Sequence, residues 1–157
     1  MREKVYLETT IASYLAARPS RDVVVSAHQE LTYEWWETQR ERFDLFVSDL
    51  VLQEASRGDA SAAARRTELL KGIPVLQAGD EENQIAGRLI RTGLIPRRAT
   101  ADALHVAIAT AHGLELLLTW NCRHIANAEI SKRMETLLGE LGYRMPTLCT
   151  PEQLMGS

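Results

Sequence analysis

The chain has 157 residues, 45% of them hydrophobic and 25% charged, with a formal net charge of −3. These proportions are those of an ordinary globular domain and exclude disorder along the whole chain; a chain this long buries roughly 70% of its unfolded surface without a disulfide or metal staple. The acidic balance argues against a protein that merely coats nucleic acid, which carries a basic excess, while leaving room for an enzyme that clusters carboxylates around a metal.

The two cysteines, Cys122 and Cys149, have no CxxC spacing, which fits a reducing compartment and argues against a zinc site or a disulfide framework. Met1 to Lys4 leads straight into an apolar strand pattern, and no apolar run approaches the length of a membrane span, so the expected location is cytoplasmic, without membrane association. One domain over residues 1–157 is expected, its last few residues being a tail or a cloning remnant.

Val5-Tyr6-Leu7 reads as the first strand, after which the Thr9-Thr10 pair suits a helix start, with Ile11, Tyr14 and Leu15 at helical spacing. Ser26 to Arg42 reads as a polar helix with Leu31, Trp35 and Trp36 on its apolar side. Leu45 to Ser48 is the second strand, and Ser48-Asp49 opens a helix that carries Glu54 and ends at Gly58. Asp59 to Lys71 is helical and is closed by Gly72. Ile73-Pro74-Val75-Leu76 suits an edge strand, the place where proline is tolerated. Asp80 to Gly93 has the acidic first turn of a helix, and Thr100 is expected to cap a further helix reaching His112, with Gly113 as its stop. Leu116 to Thr119 is a continuous apolar strand, as when both faces are covered. A helix over Ala128 to Leu141 and a short strand over Thr147 to Thr150 complete the chain. Strands alternating with helices predict an α/β fold, three-layered, with a mainly parallel central sheet flanked by helices.

In such sheets functional side chains gather beyond the carboxyl ends of the strands. Glu8 follows the first strand, Glu54 rides the helix after the second, Asp102 stands in the first turn of the helix before Leu116, and Asn121 follows Thr119. Like charges brought together destabilise one another unless a cation joins them. Hard oxygen donors favour Mg²⁺ or Mn²⁺ set against substrate phosphates, and the chemistry that follows is phosphodiester hydrolysis. Taken singly, an acid near a helix start is as well explained as a cap or a solvated charge.

Three segments carry a family resemblance that spans nearly the whole chain in order. VYLETTIASYL resembles the opening strand and helix of PIN domains, FVSDLVLQEASRG their second element, and ADALHVAIATAHGLELLLTWNCRHIANA their most distinctive block. The resemblance is to the ribonuclease toxins of bacterial VapBC toxin–antitoxin pairs. It implies a PIN-like fold, an Mg²⁺- or Mn²⁺-dependent endoribonuclease, and Glu8, Glu54, Asp102 and Asn121 as catalytic and metal-binding residues. It further implies an RNA substrate, a small cognate antitoxin bound beside the acidic site, and a homodimer. Two positions depart from the commoner pattern: Glu8 stands where aspartate is usual, and Asn121 keeps an oxygen but drops a charge. These departures motivate an alternative, a degenerate PIN domain that holds RNA or a protein without cutting. A PIN-like nuclease for DNA structures is a third reading, for which the chain lacks the added arch or helix-hairpin-helix elements.

Arg97 and Arg98 precede the Asp102 helix and Arg123 adjoins Asn121, positions suited to phosphate recognition or simply to solvent. Thr119, like Thr10, either bonds the site or serves strand and cap. His105, one turn from Asp102, is expected to pack or to donate a hydrogen bond rather than to ligate a metal, and His124 is expected to be structural, the alternative being a phosphate contact. Trp35 and Trp36 are expected as core and interface residues rather than base-stacking platforms, and the helix surfaces around Ile11 to Leu15 and Trp35 are expected to offer partner contacts.

Overall fold

The computed structural model describes residues 1–156; Ser157, the end of the expected tail, lies outside the described residues. In chain order the elements are β1 (Glu3–Leu7), α1 (Thr9–Ala16), α2 (Val23–Thr38), β2 (Phe43–Ser48), α3 (Asp49–Ala55), α4 (Ala60–Leu70), β3 (Val75–Leu76), α5 (Asp80–Arg91), α6 (Thr100–Ala111), β4 (Leu116–Leu118), α7 (Ala128–Glu140) and β5 (Thr147–Cys149), with short 3₁₀ turns at Arg40–Arg42, Arg97–Ala99 and Glu152–Leu154. The strands form one five-stranded sheet in the order β3-β2-β1-β4-β5. Every pairing is parallel.

The chain winds outward from β1 through β2 to β3, then returns to the other side of β1 for β4 and β5. The strand order therefore reverses between β1 and β4, and the crevice beyond their carboxyl ends is where an open parallel sheet places ligands. Leu7 pairs with Leu118 at that point, so Glu8 and Thr119 leave the sheet side by side. Val5, Tyr6, Leu7, Leu117 and Leu118 are buried, as expected for central strands covered on both faces. Val75–Leu76 is an edge strand, and Pro74 offers β2 only a carbonyl, which accepts the Val47 N–H at 3.0 Å.

Local capping explains most element starts. Asp22, Ser48, Asp59 and Asn127 accept backbone N–H groups at the first turns of α2, α3, α4 and α7. Glu82 accepts the Gly79 N–H at 2.8 Å ahead of α5. Gly113, at φ +70°, takes the left-handed turn that stops α6.

Three expectations are corrected. The second helix begins at Val23 rather than Ser26 and gives way to a 3₁₀ turn after Thr38, because Asp22 supplies a cap ahead of Val23 and Val24, whose exposed side chains do not mark a buried face. Thr100 does not cap α6; the turn over Arg97–Ala99 already brings it to helical angles, and its hydroxyl donates back to the Arg97 carbonyl at 2.6 Å. Trp35 and Trp36 belong to the core as expected, but with Ile11, Ala12 and Leu15 they do not offer a free contact surface. The stacking of Trp35 on Phe43, with ring centroids 5.9 Å apart, shows what that part of α2 serves.

Candidate active site

At the β1–α1 junction the helix start is capped by Glu8, not by a threonine. Its carboxylate accepts the Thr10 N–H at 3.2 Å. A carboxylate is the stronger acceptor, which frees both threonines for other work. The Thr10 hydroxyl donates to Glu8 Oε1 at 2.5 Å and accepts the Trp120 N–H at 2.8 Å. Thr119 repeats this arrangement from the other strand: its hydroxyl donates to the same Oε1 at 2.7 Å and accepts the Asn121 N–H at 2.8 Å. Glu8 is only 5% exposed, so a single carboxylate oxygen ties α1 to the exit of β4 inside the protein.

Glu54 projects from α3 toward the same place. Its Oε1 accepts the Thr9 hydroxyl at 2.6 Å and lies 2.6 Å from His105 Nε2. The other ring nitrogen of His105 meets the Tyr6 hydroxyl at 2.6 Å, and that hydroxyl lies 2.8 Å from Ser48 Oγ, the cap of α3. Burial opposes the charge on Glu54, but the hydrogen bond to His105, the Thr9 hydroxyl and nearby Arg57 outweigh it and hold the carboxyl below its ordinary range. Burial, opposed by the Ser48 bond and reinforced by Glu8, Glu54 and Asp49, pushes the Tyr6 phenol well above its ordinary value.

Glu8, Glu54 and His105 each bring one ligand-capable atom to a cluster whose atoms all lie within 4.8 Å of one another. Asp102 stands in the first turn of α6, one helical turn before His105, outside that tight cluster. Its Oδ2 lies 3.0 Å from His124 Nδ1. Asn121 organises the turn that delivers His124: its Oδ1 accepts the His124 N–H at 3.0 Å and its carbonyl accepts the Ala126 N–H at 2.8 Å. Arg97, Arg98 and Arg123 are exposed, and none forms an ion pair among the described residues. Arg65 and Arg66 instead bind backbone, the former at Ala16 O and the latter at Ala55 O.

The donor set suits a hard divalent cation. Glu8 Oε2, Glu54 Oε2 and Asp102 Oδ1 carry no hydrogen bond from the described residues, while the opposite oxygen of each carboxylate is engaged. Three oxygens held in place and left without protein donors are what Mg²⁺ or Mn²⁺ accepts as ligands. Tyr6, Thr9, Ser48 and Arg57 have no short-range sequence signal that marks them for the site. Tyr6 and Ser48 read as strand residues, and only the parallel pairing of β1 with β2 brings them together.

A wholly parallel sheet with buried Glu8 and half-buried Glu54 gathered at its topological switch point defines an α/β domain with an acidic crevice. A family model for the PIN domain matches residues 5–129, and the chain belongs to the PIN domain family. No curated protein matches the chain. Among solved structures, VapBC2 from Rickettsia felis, bound to a DNA fragment from their promoter, aligns with a TM-score of 0.60 at 18% identity, over 94% of this chain and 98% of that one. Mycobacterium tuberculosis VapC20, described as a sarcin–ricin loop cleaving toxin, aligns with a TM-score of 0.54 at 17% identity, over 72% of this chain and 86% of that one. These likenesses are of fold, and that fold is PIN-like.

Proposed function

We propose that the protein is a divalent-metal-dependent endoribonuclease, the cytoplasmic toxin of a toxin–antitoxin pair. The observation that carries this reading is the gathering of Glu8 and Glu54 in one cluster with His105, and of Asp102 one helical turn before that histidine, each carboxylate having one oxygen engaged and one without a donor among the described residues. Membership of the PIN family and the fold shared with two bacterial toxin structures, one named as cleaving the sarcin–ricin loop, support RNA as the substrate class. No helix among the described residues is long and apolar enough to cross a membrane.

In this reading Glu8, Glu54 and Asp102 hold the Mg²⁺ or Mn²⁺ ion. A divalent ion held there would supply an activated water for attack on a phosphodiester, polarisation of the phosphoryl oxygen and compensation of charge on the leaving group. Thr10 and Thr119 fix Glu8, and Thr9 and His105 fix Glu54, so little reorganisation is needed when the ion and substrate arrive. Arg97, Arg98 and Arg123 receive the phosphates that flank the cut. Asn121, its oxygen engaged by the His124 N–H, serves the site by ordering the turn that sets His124 on Asp102. A groove of about 620 Å³ between α1 and α4, lined by Ala16, Ala64, Arg65 and Leu69 among others, offers a small antitoxin a partly apolar floor, and the toxin acts as a homodimer.

The engagement of Asn121 Oδ1 favours one alternative, a PIN domain that binds RNA or protein without cutting, because the fourth oxygen is uncharged and already spends one lone pair on the His124 N–H. One assay separates the two readings. Antitoxin-free protein is incubated with total RNA, with and without Mg²⁺ or Mn²⁺, beside Asp102→Asn. Metal-dependent cleavage that the variant loses is the expected result. Intact RNA in the presence of folded, Mn²⁺-loaded protein would refute the enzyme and leave the binding module.

A further inference from the structure

We propose that Ser48, Tyr6 and His105 form a buried hydrogen-bond relay that fixes the His105 ring as an Nε2–H donor to Glu54, turning the second oxygen of that carboxylate, Oε2, toward a divalent cation. The proposal rests on the reading of Glu54 as a cation ligand, and it makes Tyr6 and His105 positioning residues of the site.

The direction of the relay follows from counting hydrogens. Ser48, Tyr6 and His105 are each 0% exposed, so water supplies no partner. Glu54 Oε1 accepts from Thr9 and faces His105 Nε2 at 2.6 Å; a carboxylate oxygen offers no hydrogen there, so Nε2 carries one. At the far end, Ser48 Oγ accepts the Val51 N–H at 3.1 Å, and its own hydrogen has one described partner, Tyr6 Oη at 2.8 Å. If the Ser48 O–H donates to Tyr6, the Tyr6 O–H is free to donate to His105 Nδ1, 2.6 Å away. In this direction every hydrogen has an acceptor. In the reverse direction the Ser48 hydrogen is orphaned in the core, which proteins avoid. The relay thus runs from Ser48 through Tyr6 and His105 to Glu54.

The consequence for Glu54 is geometric. With Thr9 and His105 both bound to Oε1, the carboxylate is held by one oxygen and its rotation is restricted. Outer partners of this kind orient metal ligands, and their loss typically weakens metal binding about 10–100-fold. Tyr6 touches no ligand itself and acts only through the ring. Tyr6→Phe, which deletes the Nδ1 donor and the acceptor of the Ser48 hydrogen but touches no ligand, therefore belongs at the lower end of that range. His105→Ala belongs at the upper end. His105→Gln, which returns an N–H near the Nε2 position, recovers part of the loss.

The tautomer is read directly in metal-free, full-length, ¹⁵N-labelled protein from two-bond ¹H–¹⁵N correlations of the histidine rings. The expected pattern for His105 is a proton on Nε2 and an accepting Nδ1. Mn²⁺ affinity is then measured by electron paramagnetic resonance without RNA, on variants whose circular dichroism matches the wild type. A proton on Nδ1 in the wild type would overturn the relay, whatever the protein binds. Wild-type Mn²⁺ affinity in Tyr6→Phe would overturn the positioning role. A wild type that binds no Mn²⁺ would overturn the cation reading and the positioning role together, leaving the ring spectrum to distinguish this failure from the first. The ring measurement needs no variant, so a Tyr6→Phe chain that failed to fold would leave the test intact.

Discussion

The two threonines that grip Glu8 make an informative pair, because their hydrogen bonds match and their surroundings differ. Each hydroxyl donates to Glu8 Oε1 and accepts a backbone N–H, from Trp120 for Thr10 and from Asn121 for Thr119. Valine keeps the shape and removes the hydroxyl. Thr119→Val deletes a bond to a charged group, with a net worth of about 1.5–3 kcal/mol, and leaves the Asn121 N–H short of an acceptor, which costs about 1–3 kcal/mol where water cannot enter. Thr119 is 0% exposed, so a loss of about 2–4 kcal/mol is expected after partial relaxation of the turn. That is a large share of the roughly 5–15 kcal/mol that holds a domain together. Thr10 is half-buried, so water takes over part of its work and Thr10→Val is expected to cost about half as much. Thr119→Ser, which keeps the hydroxyl, is expected to lose only about 1 kcal/mol with its methyl group. Urea denaturation of the three variants, at unchanged m-value, measures all of this. If Thr119→Val matched wild type within about 0.5 kcal/mol, or cost less than Thr10→Val, the claim that Glu8 is anchored through these hydroxyls would be wrong.

Trp120 stacks on His28 with centroids 4.0 Å apart, and its indole N–H donates to Thr32 Oγ1 at 2.7 Å. Trp120→Phe is expected to lose about 1–2 kcal/mol in urea unfolding, and Trp120→Ala about 3–5 kcal/mol; equal costs would show that the indole bond and stack contribute nothing specific. The Cys149 thiol is pushed up to about 11, by burial first and then by Glu3, so iodoacetamide at pH 8 is expected to label exposed Cys122 and spare Cys149 until the chain unfolds, as peptide mass spectrometry would show. Asn121→Asp keeps the oxygen that takes the His124 N–H and adds a fourth negative charge between the Glu8 and Asp102 networks. At low salt it is expected to destabilise metal-free protein by about 1–2 kcal/mol and to tighten Mn²⁺ binding; thermal unfolding unchanged with and without Mn²⁺ would refute that placement of the charge.

The scaffold was largely legible in the sequence because its signals are local. Apolar runs of strand length, N-cap residues and glycine stops repeat along the chain, and Gly113 and the Val75–Leu76 edge strand fall where such signals put them. The misread caps share one cause. Thr100 carries a capping side chain, yet an upstream 3₁₀ turn had already started the helical course, and at α1 a carboxylate displaced the threonine next to it. Glu8, Glu54 and Asp102 could be picked out because they stand at fixed offsets from recognisable strands. Their partners could not. His105 stood as a lone helical histidine until Glu54, 51 positions away, and Tyr6, 99 positions away, were folded against it. Such tertiary pairs leave no periodic trace in a single sequence.

Helix ends explain why the three carboxylates need different company. Glu8 caps α1 and Asp102 lies in the first turn of α6, so both sit at the positive ends of helix dipoles, which favour an anion. Glu54 is the penultimate residue of the seven-residue α3, near the end that disfavours one. It is also the acid held by an imidazole and a threonine hydroxyl on one oxygen, with Arg57 close by. Hydroxyls and backbone suffice for Glu8, whereas Glu54 has needed a buried histidine and whatever holds that histidine in place. Glu8 and Glu54 thus reach one cluster although their helices pull on them in opposite senses, and the energetic burden of bringing these like charges together falls on the Glu54–His105 contact between α3 and α6. Substitutions that loosen this contact, such as His105→Ala, should therefore disturb Glu54 before they disturb Glu8, a sequence of effects that separate Mn²⁺ titrations on Glu8→Gln and Glu54→Gln backgrounds would resolve.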